Sequence, residues 1–221
     1  MRIDILTLFP DMFKEFISES IIKRAIDNKL VEVNVIDFRE YSQDKNKKVD
    51  DTPYGGGNGM VLMCDPIFRA LDDIRTEDSK VIMLTPDGKK YNQELAYDLS
   101  KEKHLILICG HYEGFDERIR SIVDMEISIG DYVLTGGEIP AMVVSDSIIR
   151  LVDGVIAHDS HILDSFNDNL LDYETYTKPE EYRGMKVPEV LLSGDHKKID
   201  EFRKNSRYNR TKERRPDLLE K

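Results

Sequence analysis

The stretch ISIGDYVLTGGEIPAM, residues 127–142, joins a short strand pattern to the beginning of a long helix pattern. Its first apolar residues alternate as in a strand, and Gly136-Gly137 precede a helical pattern over residues 139–151. Glycine at such a junction commonly lets the backbone approach a ligand, which is most often a phosphate. The stretch nevertheless contains Asp131 and Glu138 and neither Lys nor Arg. What ligand such a junction would accept is therefore the first question.

The chain around this stretch alternates strand and helix patterns, which is typical of an α/β fold with a mostly parallel sheet. The runs KVIML (80–84) and HLILIC (104–109) are continuously apolar, as in strands that are buried on both faces. The remaining strand patterns lie at 2–9 and 31–35, and helix patterns lie at 11–29, 92–101 and 116–123.

The pattern changes after residue 154. Residues 157–169 are rich in Asp, Asn, Ser and His and have no sustained period, which indicates a linker or lid. A charged helical segment begins at about His196. We therefore predict an α/β domain over 1–156, a linker over 157–169 and a small helical domain over 170–221.

The distribution of charge is uneven. The 221 residues have a formal net charge of −11, which by itself argues against a nucleic-acid partner. The run RKNSRYNRTKERR, residues 203–215, nevertheless holds seven Lys or Arg and one acid. A solvated helix face is the simpler explanation of such a run. A basic appendage on an acidic body is also what a docking polyanion requires, so both explanations stay open.

The cysteines and the N-terminus favour the cytoplasm. Cys64 and Cys109 are far apart and lack metal-ligand or redox spacing, as is common in a reducing compartment. The N-terminal apolar run contains Asp4 and is followed by Pro10, unlike a signal peptide, and no segment is long enough to span a bilayer. We predict a cytoplasmic protein without a membrane partner.

Three predicted strands each end in a loop that contains glycine or proline, at residues 84–88, 109–114 and 129–137. In open parallel sheets the ligand lies beyond the carboxyl ends of the strands, where such loops meet. A tight turn explains any one of these loops equally well, but three together favour a pocket that is lined mainly by backbone.

The residue types limit what this pocket would bind. The sequence has no G-x-x-x-x-G-K-[ST] motif, and the glycines at 55–59 miss the G-x-G-x-x-G spacing. Glu113, Asp131 and Glu138 without a nearby Lys or Arg would repel phosphate. A ligand with an adenosine part that bonds to main-chain amides and a cationic other end would be tolerated. S-adenosylmethionine has both properties.

Long motifs cover nearly the whole chain and resemble one family. They are LTLFPDMF (6–13), DDTPYGGGNGM (50–60), CGHYEGFDERI (109–119), ISIGDYVLTGGEIPAM (127–142), LLDYETYTKP (170–179), VPEVLLSGDH (187–196) and RRPDLLEK (214–221). Together they resemble the bacterial tRNA (guanine-N1)-methyltransferases, the TrmD type of the SPOUT methyltransferases. Motifs of this length are highly specific.

The resemblance implies a fold and a donor site. The α/β domain would contain a deep trefoil knot, and two copies of the chain would form a homodimer with each active site at the interface. The implied S-adenosylmethionine pocket lies in the knot and comprises Leu84, Thr85, Pro86, Gly110, Tyr112, Glu113, Gly114, Ile129, Gly130, Asp131, Tyr132, Val133, Leu134, Gly136, Gly137 and Pro140.

The resemblance also implies the reaction, which is methylation of tRNA at N1 of guanosine 37, next to the anticodon. Asp164 matches the proposed general base, and Arg150 matches the residue that stabilises O6 or orients that base. Without the family, a helix N-cap would explain Asp164 and a helix C-terminal cation would explain Arg150. The implied tRNA contacts are Ser165, Asp172, Arg207, Arg210, Arg214 and Arg215.

The case for a bound metal ion rests on the resemblance alone. The resemblance implies Mg²⁺, with Glu113 as a candidate contact, but the sequence has no set of ligands dedicated to a metal. His158 and His161, with Asp159 between them, lack convincing metal-ligand spacing. We therefore predict no metal-binding residues.

The chain departs from the family pattern at a few positions, and other functions stay open. The departures are His111, Lys178, Asp195 and Ile162-Leu163. The alternatives are a knotted methyltransferase that acts on another RNA position, a non-catalytic RNA-binding protein and a nucleotide-dependent oxidoreductase.

Overall fold

The computed structural model describes residues 1–156, 164–166 and 168–220. The chain divides into two compact units, residues 1–156 and 157–221. In the described ranges, no helix is long and apolar enough to cross a membrane.

A parallel sheet forms the centre of the first unit. Its strands pair in the order β2-β1-β6-β5-β7, and every pair is parallel. The predicted α/β class with a mostly parallel sheet is therefore confirmed. The strands of this unit are β1 (Arg2–Thr7), β2 (Glu32–Asp37), β3 (Asp50–Asp51), β4 (Val61–Leu62), β5 (Ser79–Lys90), β6 (His104–Cys109) and β7 (Met125–Ser128), of which β3 and β4 form a separate antiparallel pair.

Five α-helices and three 3₁₀ turns surround the sheet. The predicted helix over 11–29 is interrupted, because Glu19 is extended and Ser20 has a φ of 55°. The predicted helix over 116–123 is a 3₁₀ turn. The elements are α1 (Lys14–Ser18), α2 (Ser20–Asp27), α3 (Cys64–Ile74), α4 (Gln93–Leu99) and α5 (Glu138–Ile149), with 3₁₀ turns at Pro10–Phe13, Phe38–Tyr41 and Glu117–Ile122.

The core has a layer on each face of the sheet. Ile3 and Ile5 of β1 pack on one face with α5, and Leu6 packs on the other face with α3. All six residues of β6 are buried, as its continuous apolar run predicts. Each fully buried Leu or Ile contributes about 1.5–3 kcal/mol relative to exposure. This packing fixes β5, β6 and β7, within or after which the three predicted loops lie.

β5 continues beyond its predicted end. Leu84 and Lys89 both pair with Ile127 of β7, so residues 85–88 bulge out between two paired stretches. Gly88 makes this possible, because the backbone of Glu126 would lie 2.5 Å from a Cβ at that position. The first predicted loop is therefore an insertion within a strand.

The described residues of the second unit, 164–166 and 168–220, contain a short hairpin and two helices. Its elements are β8 (Glu181–Tyr182), β9 (Met185–Lys186), α6 (Glu189–Leu192), α7 (His196–Arg214) and a 3₁₀ turn at Pro216–Leu218. The Asp195 carboxylate caps α7 by accepting a hydrogen bond of 3.3 Å from the Lys198 amide. The helix begins where the sequence predicted it, and most of the basic run lies in its second half.

Candidate functional site

The three predicted loops enclose one cavity of about 270 Å³, which we call the three-loop cavity. Its lining includes the predicted donor-binding residues Leu84, Thr85, Pro86, Gly110, Tyr112, Glu113, Gly114, Ile129, Gly130, Tyr132, Val133, Leu134, Gly136, Gly137 and Pro140. The loops converge because they follow neighbouring parallel strands. Their role in binding a donor stays a prediction.

Asp131 is the predicted donor-binding residue outside this lining. Its carboxylate is exposed and lies 3.3 Å from the Nζ of Lys90. The lining also contains residues that were not predicted to bind the donor, namely His111, Phe115, Ile127, Ser128 and Thr135. All five lie within the motifs that resemble the family, so their place in those motifs could have identified them.

The loops approach one another backbone to backbone. The Gly137 amide donates a hydrogen bond of 2.7 Å to the Gly110 carbonyl. A Cβ on Gly137 would lie 2.6 Å from Cys109 Cα and 2.7 Å from the Gly110 nitrogen. A Cβ on Gly110 would lie 2.8 Å from the Phe115 ring. Glycine is required at 137 because a side chain there would force the two loops apart, and a side chain at 110 would displace the Phe115 ring.

The lining of the three-loop cavity is weakly charged. Within the described part of the chain it includes no Lys or Arg, and Glu113 is its acidic residue. The Glu113 amide donates a hydrogen bond of 3.0 Å to the Met60 carbonyl, so the chain just after the Gly55–Gly59 stretch holds Glu113 in place. The remaining lining is main chain, hydroxyl groups and apolar side chains such as Leu84 and Leu134. Such a cavity suits an apolar or cationic ligand better than a phosphate.

A buried carboxylate begins α5 beside the cavity. Glu138 is 3% exposed, and its Oε1 accepts a hydrogen bond of 2.8 Å from the Thr7 hydroxyl. The Thr7 oxygen in turn accepts one of 2.9 Å from the Phe9 amide. Burial raises the pKa of the neighbouring Cys109 thiol well above its usual range, and the Glu138 charge adds to that shift. The carboxylate thus joins β1 to the first turn of α5, where the helix dipole favours a negative charge.

His111 occupies the cavity wall. Its ring centroid lies 4.9 Å from that of Phe9 and 4.9 Å from that of Tyr112. Among the described residues, its buried Nδ1 has no hydrogen-bond partner. Tyr112 has a φ of 59°, an uncommon conformation for a bulky residue.

The two predicted catalytic residues lie in different units. Arg150 follows the last residue of α5, and its amide donates a hydrogen bond of 3.1 Å to the Asp146 carbonyl. Asp164 is half-buried and is followed by a turn at Ser165 and Phe166. No helix begins at these described residues, so the N-cap explanation of Asp164 does not apply there. The catalytic roles of both residues stay predictions.

The predicted tRNA contacts differ in exposure. Arg207 is buried, Arg210 is half-buried, and Arg214 and Arg215 are exposed. The Arg215 guanidinium is 2.8 Å and 2.7 Å from the two Asp217 oxygens. The Ser165 hydroxyl accepts a hydrogen bond of 2.9 Å from the Asp172 amide.

The described residues include no group of three or more His, Cys, Asp or Glu that could hold a metal ion. His158, Asp159 and His161 lie outside the described residues, as do Ile162 and Leu163.

The sequence profile of the family tRNA (Guanine-1)-methyltransferase TrmD matches residues 1–221. The chain belongs to this family. The resemblance that the motifs predicted is thereby confirmed over the whole chain.

Curated relatives are similar over almost their full length. A tRNA (guanine-N(1)-)-methyltransferase of Malacoplasma penetrans is 57% identical over 219 residues, which is 99% of this chain and 97% of that protein. One of Mycoplasmopsis agalactiae is 54% identical over 222 residues, with 100% and 98% coverage. One of Staphylococcus epidermidis is 55% identical over 223 residues, with 100% and 91% coverage.

Proposed function

We propose that this protein transfers a methyl group from S-adenosyl-L-methionine to N1 of guanosine 37 in tRNA, the nucleotide next to the anticodon. The single observation that carries the proposal is the family match along all of residues 1–221. Relatives that are 54–57% identical over nearly the whole chain are named tRNA (guanine-N(1)-)-methyltransferases, which agrees with it. The chemistry of the three-loop cavity is compatible with this donor.

The three-loop cavity would hold the donor. When bound, S-adenosylmethionine supplies an electrophilic methyl group on a positively charged sulfur. Main-chain groups of the three loops would bond to the adenosine part, and apolar side chains of the lining such as Leu134 and Pro140 would cover it. The Glu113 carboxylate is the negative group in the lining that a cationic donor would meet. The close approach of Gly110 and Gly137 keeps the loops in this arrangement.

Asp164 would act as the general base. N1 of guanine carries a proton at neutral pH, so its lone pair cannot attack until that proton is removed. Asp164 accepts the proton, and Arg150 stabilises the negative charge that spreads to O6 or orients the base. In the homodimer, one subunit would supply the methyl donor and the other would supply Asp164.

Mg²⁺ is a further expected cofactor of the family. Glu113 is the carboxylate of the cavity lining that could contact it. Among the described residues, no group of three or more His, Cys, Asp or Glu could hold the ion. None of the steps above depends on the metal.

A second copy of the chain would cover an apolar surface beside the cavity. Val133 is 87% exposed, and Tyr132, Ile139 and Val143 are exposed as well. α5 therefore presents apolar residues to solvent on one side while Val144 and Ile148 pack in the core. A helix that is apolar all round is normally buried, which supports the homodimer. The deep trefoil knot in the 1–156 domain belongs to the same proposal and is supported by the family resemblance.

The second unit would bind tRNA. Residues 170–221, a small helical domain, hold the exposed cations Arg214 and Arg215, which attract phosphates. The target base must leave its stack, because otherwise neither its N1 edge nor an in-line approach to the methyl group is available. Residues 157–169 would form a linker or lid that closes over this base. We expect the reaction to take place in the cytoplasm.

The decisive experiment incubates the protein with an unmodified tRNA transcript and isotope-labelled S-adenosylmethionine, followed by mass spectrometry of the product nucleosides. We expect 1-methylguanosine at position 37 and no transfer to a transcript with adenosine at that position. A methyl group on another base or on a ribose would instead identify a different RNA methyltransferase. Failure to bind the donor in calorimetry would point to a non-catalytic RNA-binding protein.

Asp164→Asn tests the mechanism. We expect the single-turnover rate to fall about 10²- to 10⁴-fold, since a positioned base contributes that much. Donor affinity should stay unchanged. The matched control is Asp200→Asn, which removes an exposed carboxylate on α7. A variant of Asp164 with the full rate would remove it from the mechanism.

A further inference from the structure

We propose that Arg207 is a positioning residue for Asp164 and not a phosphate contact. The inference rests on the proposed function, since it takes Asp164 as the base. We use the name base segment for residues 164–166 and 168–174, which follow and include Asp164. The family resemblance placed Arg207 among the tRNA contacts, but its surroundings indicate a different role.

The Arg207 guanidinium donates hydrogen bonds to two residues of the base segment. Its Nη1 donates to Asp168 Oδ2 at 2.8 Å and its Nη2 to Asp168 Oδ1 at 2.5 Å. Its Nε donates to the Leu171 carbonyl at 3.3 Å. Arg207 is 7% exposed, and a carboxylate already neutralises its charge. A phosphate could reach it only by displacing Asp168.

Other residues on the same face of α7 contact the same segment. The Thr211 hydroxyl accepts a hydrogen bond of 2.9 Å from the Leu171 amide, and the Ser206 hydroxyl accepts one of 3.2 Å from the Glu174 amide. Arg210 Nε donates to the Asp172 carbonyl at 3.1 Å. Residues 206, 207, 210 and 211 are neighbours on one side of a helix. One helix face thus binds four residues of the base segment, and Arg207 makes the most bonds.

The base segment has a conformation that needs such support. Phe166 has a φ of 77°, in the left-handed region that is unfavourable for a bulky residue. Asn169 has a φ of 61° in the same region, which asparagine tolerates better. Within the segment, the Phe166 amide donates to the Leu170 carbonyl at 2.8 Å. The Asp172 amide donates to the Ser165 hydroxyl, and Ser165 is the residue directly after Asp164. The bonds from α7 therefore extend, through residues 171 and 172, to the neighbour of the proposed base.

The two-pronged geometry distinguishes positioning from simple attraction of charge. An Arg–carboxylate pair with two parallel bonds fixes an orientation, which a Lys ammonium cannot reproduce. A phosphate contact, by contrast, tolerates Lys well. A displacement of about 1 Å in a catalytic group can cost on the order of 10²-fold in rate. Arg207→Lys should therefore be nearly as harmful as Arg207→Gln.

The experiment measures single-turnover rate at saturating tRNA, and tRNA affinity, for Arg207→Lys, Arg207→Gln and Asp168→Asn. We expect each variant to lose about 10- to 100-fold in rate, with tRNA affinity within about threefold of the parent. The double variant Arg207→Gln/Asp168→Asn should be no slower than the slower single variant, because both changes break the same bond. The matched control is Lys197→Gln, an exposed cation on α7 outside the basic run, which should change neither quantity.

Two results would overturn the inference. In one, Arg207→Lys keeps the full rate while Arg207→Gln only weakens tRNA binding, as expected of a phosphate contact. In the other, Asp168→Asn has the full rate. Retained tRNA affinity shows that the variants are folded. Asp164→Asn is measured in parallel: if it is slow while Arg207→Lys is not, the positioning role alone fails, and if it has the full rate, the proposed base fails first.

Discussion

The three-loop cavity and the base segment are stabilised by different kinds of contact. In the cavity, backbone packs on backbone, and Gly137 bonds directly to Gly110. In the base segment, side chains of α7 such as Arg207 and Thr211 bond to a strained stretch of chain. The first arrangement depends on the absence of side chains and the second on their hydrogen-bonding groups. Added side-chain volume should therefore destabilise the cavity most, whereas the loss of one hydrogen-bonding group should destabilise the base segment most.

Gly137→Ala should have the largest effect on the cavity side of this comparison. The added Cβ would lie 2.6 Å from Cys109 Cα, and backbone atoms cannot move aside easily. We expect the free energy of unfolding to fall by about 3 kcal/mol and the donor affinity to fall at least about tenfold. Urea denaturation and calorimetry measure the two quantities.

Gly55→Ala is the control for that change. Its Cβ would meet no atom within 4 Å, although its φ of 86° makes alanine unfavourable. We expect a smaller loss of about 1–2 kcal/mol and an unchanged donor affinity. If Gly137→Ala bound the donor as well as Gly55→Ala does, close backbone packing would not define the cavity.

Thr7→Val should have an intermediate effect. It keeps the shape but removes the hydroxyl that donates to the buried Glu138 carboxylate at 2.8 Å. Both groups are buried, so water cannot replace the bond, and we expect a loss of about 2 kcal/mol in urea denaturation. Thr7→Ser keeps the hydroxyl and should lose less. Equal losses for Val and Ser would mean that packing, and not the hydrogen bond, stabilises this junction.

Thr211→Val should have a smaller effect and should be confined to the second unit. It removes the hydroxyl that binds the Leu171 amide. Leu171 is half-buried, so water can partly replace the bond, and we expect a loss of about 1 kcal/mol. Thr211→Ser should be close to the parent. Donor affinity measured by calorimetry should not change, because Thr211 does not line the three-loop cavity. A changed donor affinity would contradict this expectation.

Cysteine labelling should give the smallest effect. Burial raises the pKa of the Cys109 thiol well above its usual range, so the reactive thiolate is scarce at pH 8. Cys64 is only partly buried. We expect iodoacetamide to label Cys64 in the folded protein and to spare Cys109, with peptide mass spectrometry as the measurement. Rapid labelling of Cys109 in a folded Cys64→Ser variant would show that the core packing around Cys109 opens.

Several parts of the fold were predictable because local pattern and burial agree. β6 has the predicted bounds, since a continuous apolar run fits a strand that is buried on both faces. The start of α7 was predictable from its charged helical pattern after Asp195. The sequence reasoning did not predict α3, although Ile67, Ala70, Leu71 and Ile74 are buried at helical spacing and Pro66 suits a first turn. The break in the helix at Glu19 was not predicted, because no glycine or proline marks it in the sequence.

The candidate site was predictable to the extent that topology decides it. Loops after neighbouring parallel strands must converge, so the residues of the three-loop cavity could be grouped from sequence. The bulge in β5 could not, because it depends on Ile127 pairing twice. The surroundings of Arg207 could not be predicted either. A count of basic residues gives the charge of a segment but not which acid, here Asp168, folds back onto one of them.

The bond between Thr7 and Glu138 joins positions 131 residues apart. As the ribosome makes the chain, β1 is synthesised well before its partner on α5, because Thr7 and Glu138 lie 131 residues apart. Until then the apolar side chains of the nascent first strand stay without their native cover and must be kept from aggregating. The three-loop cavity thus cannot form gradually during translation, because α5, which begins beside it, is synthesised after most of the first unit.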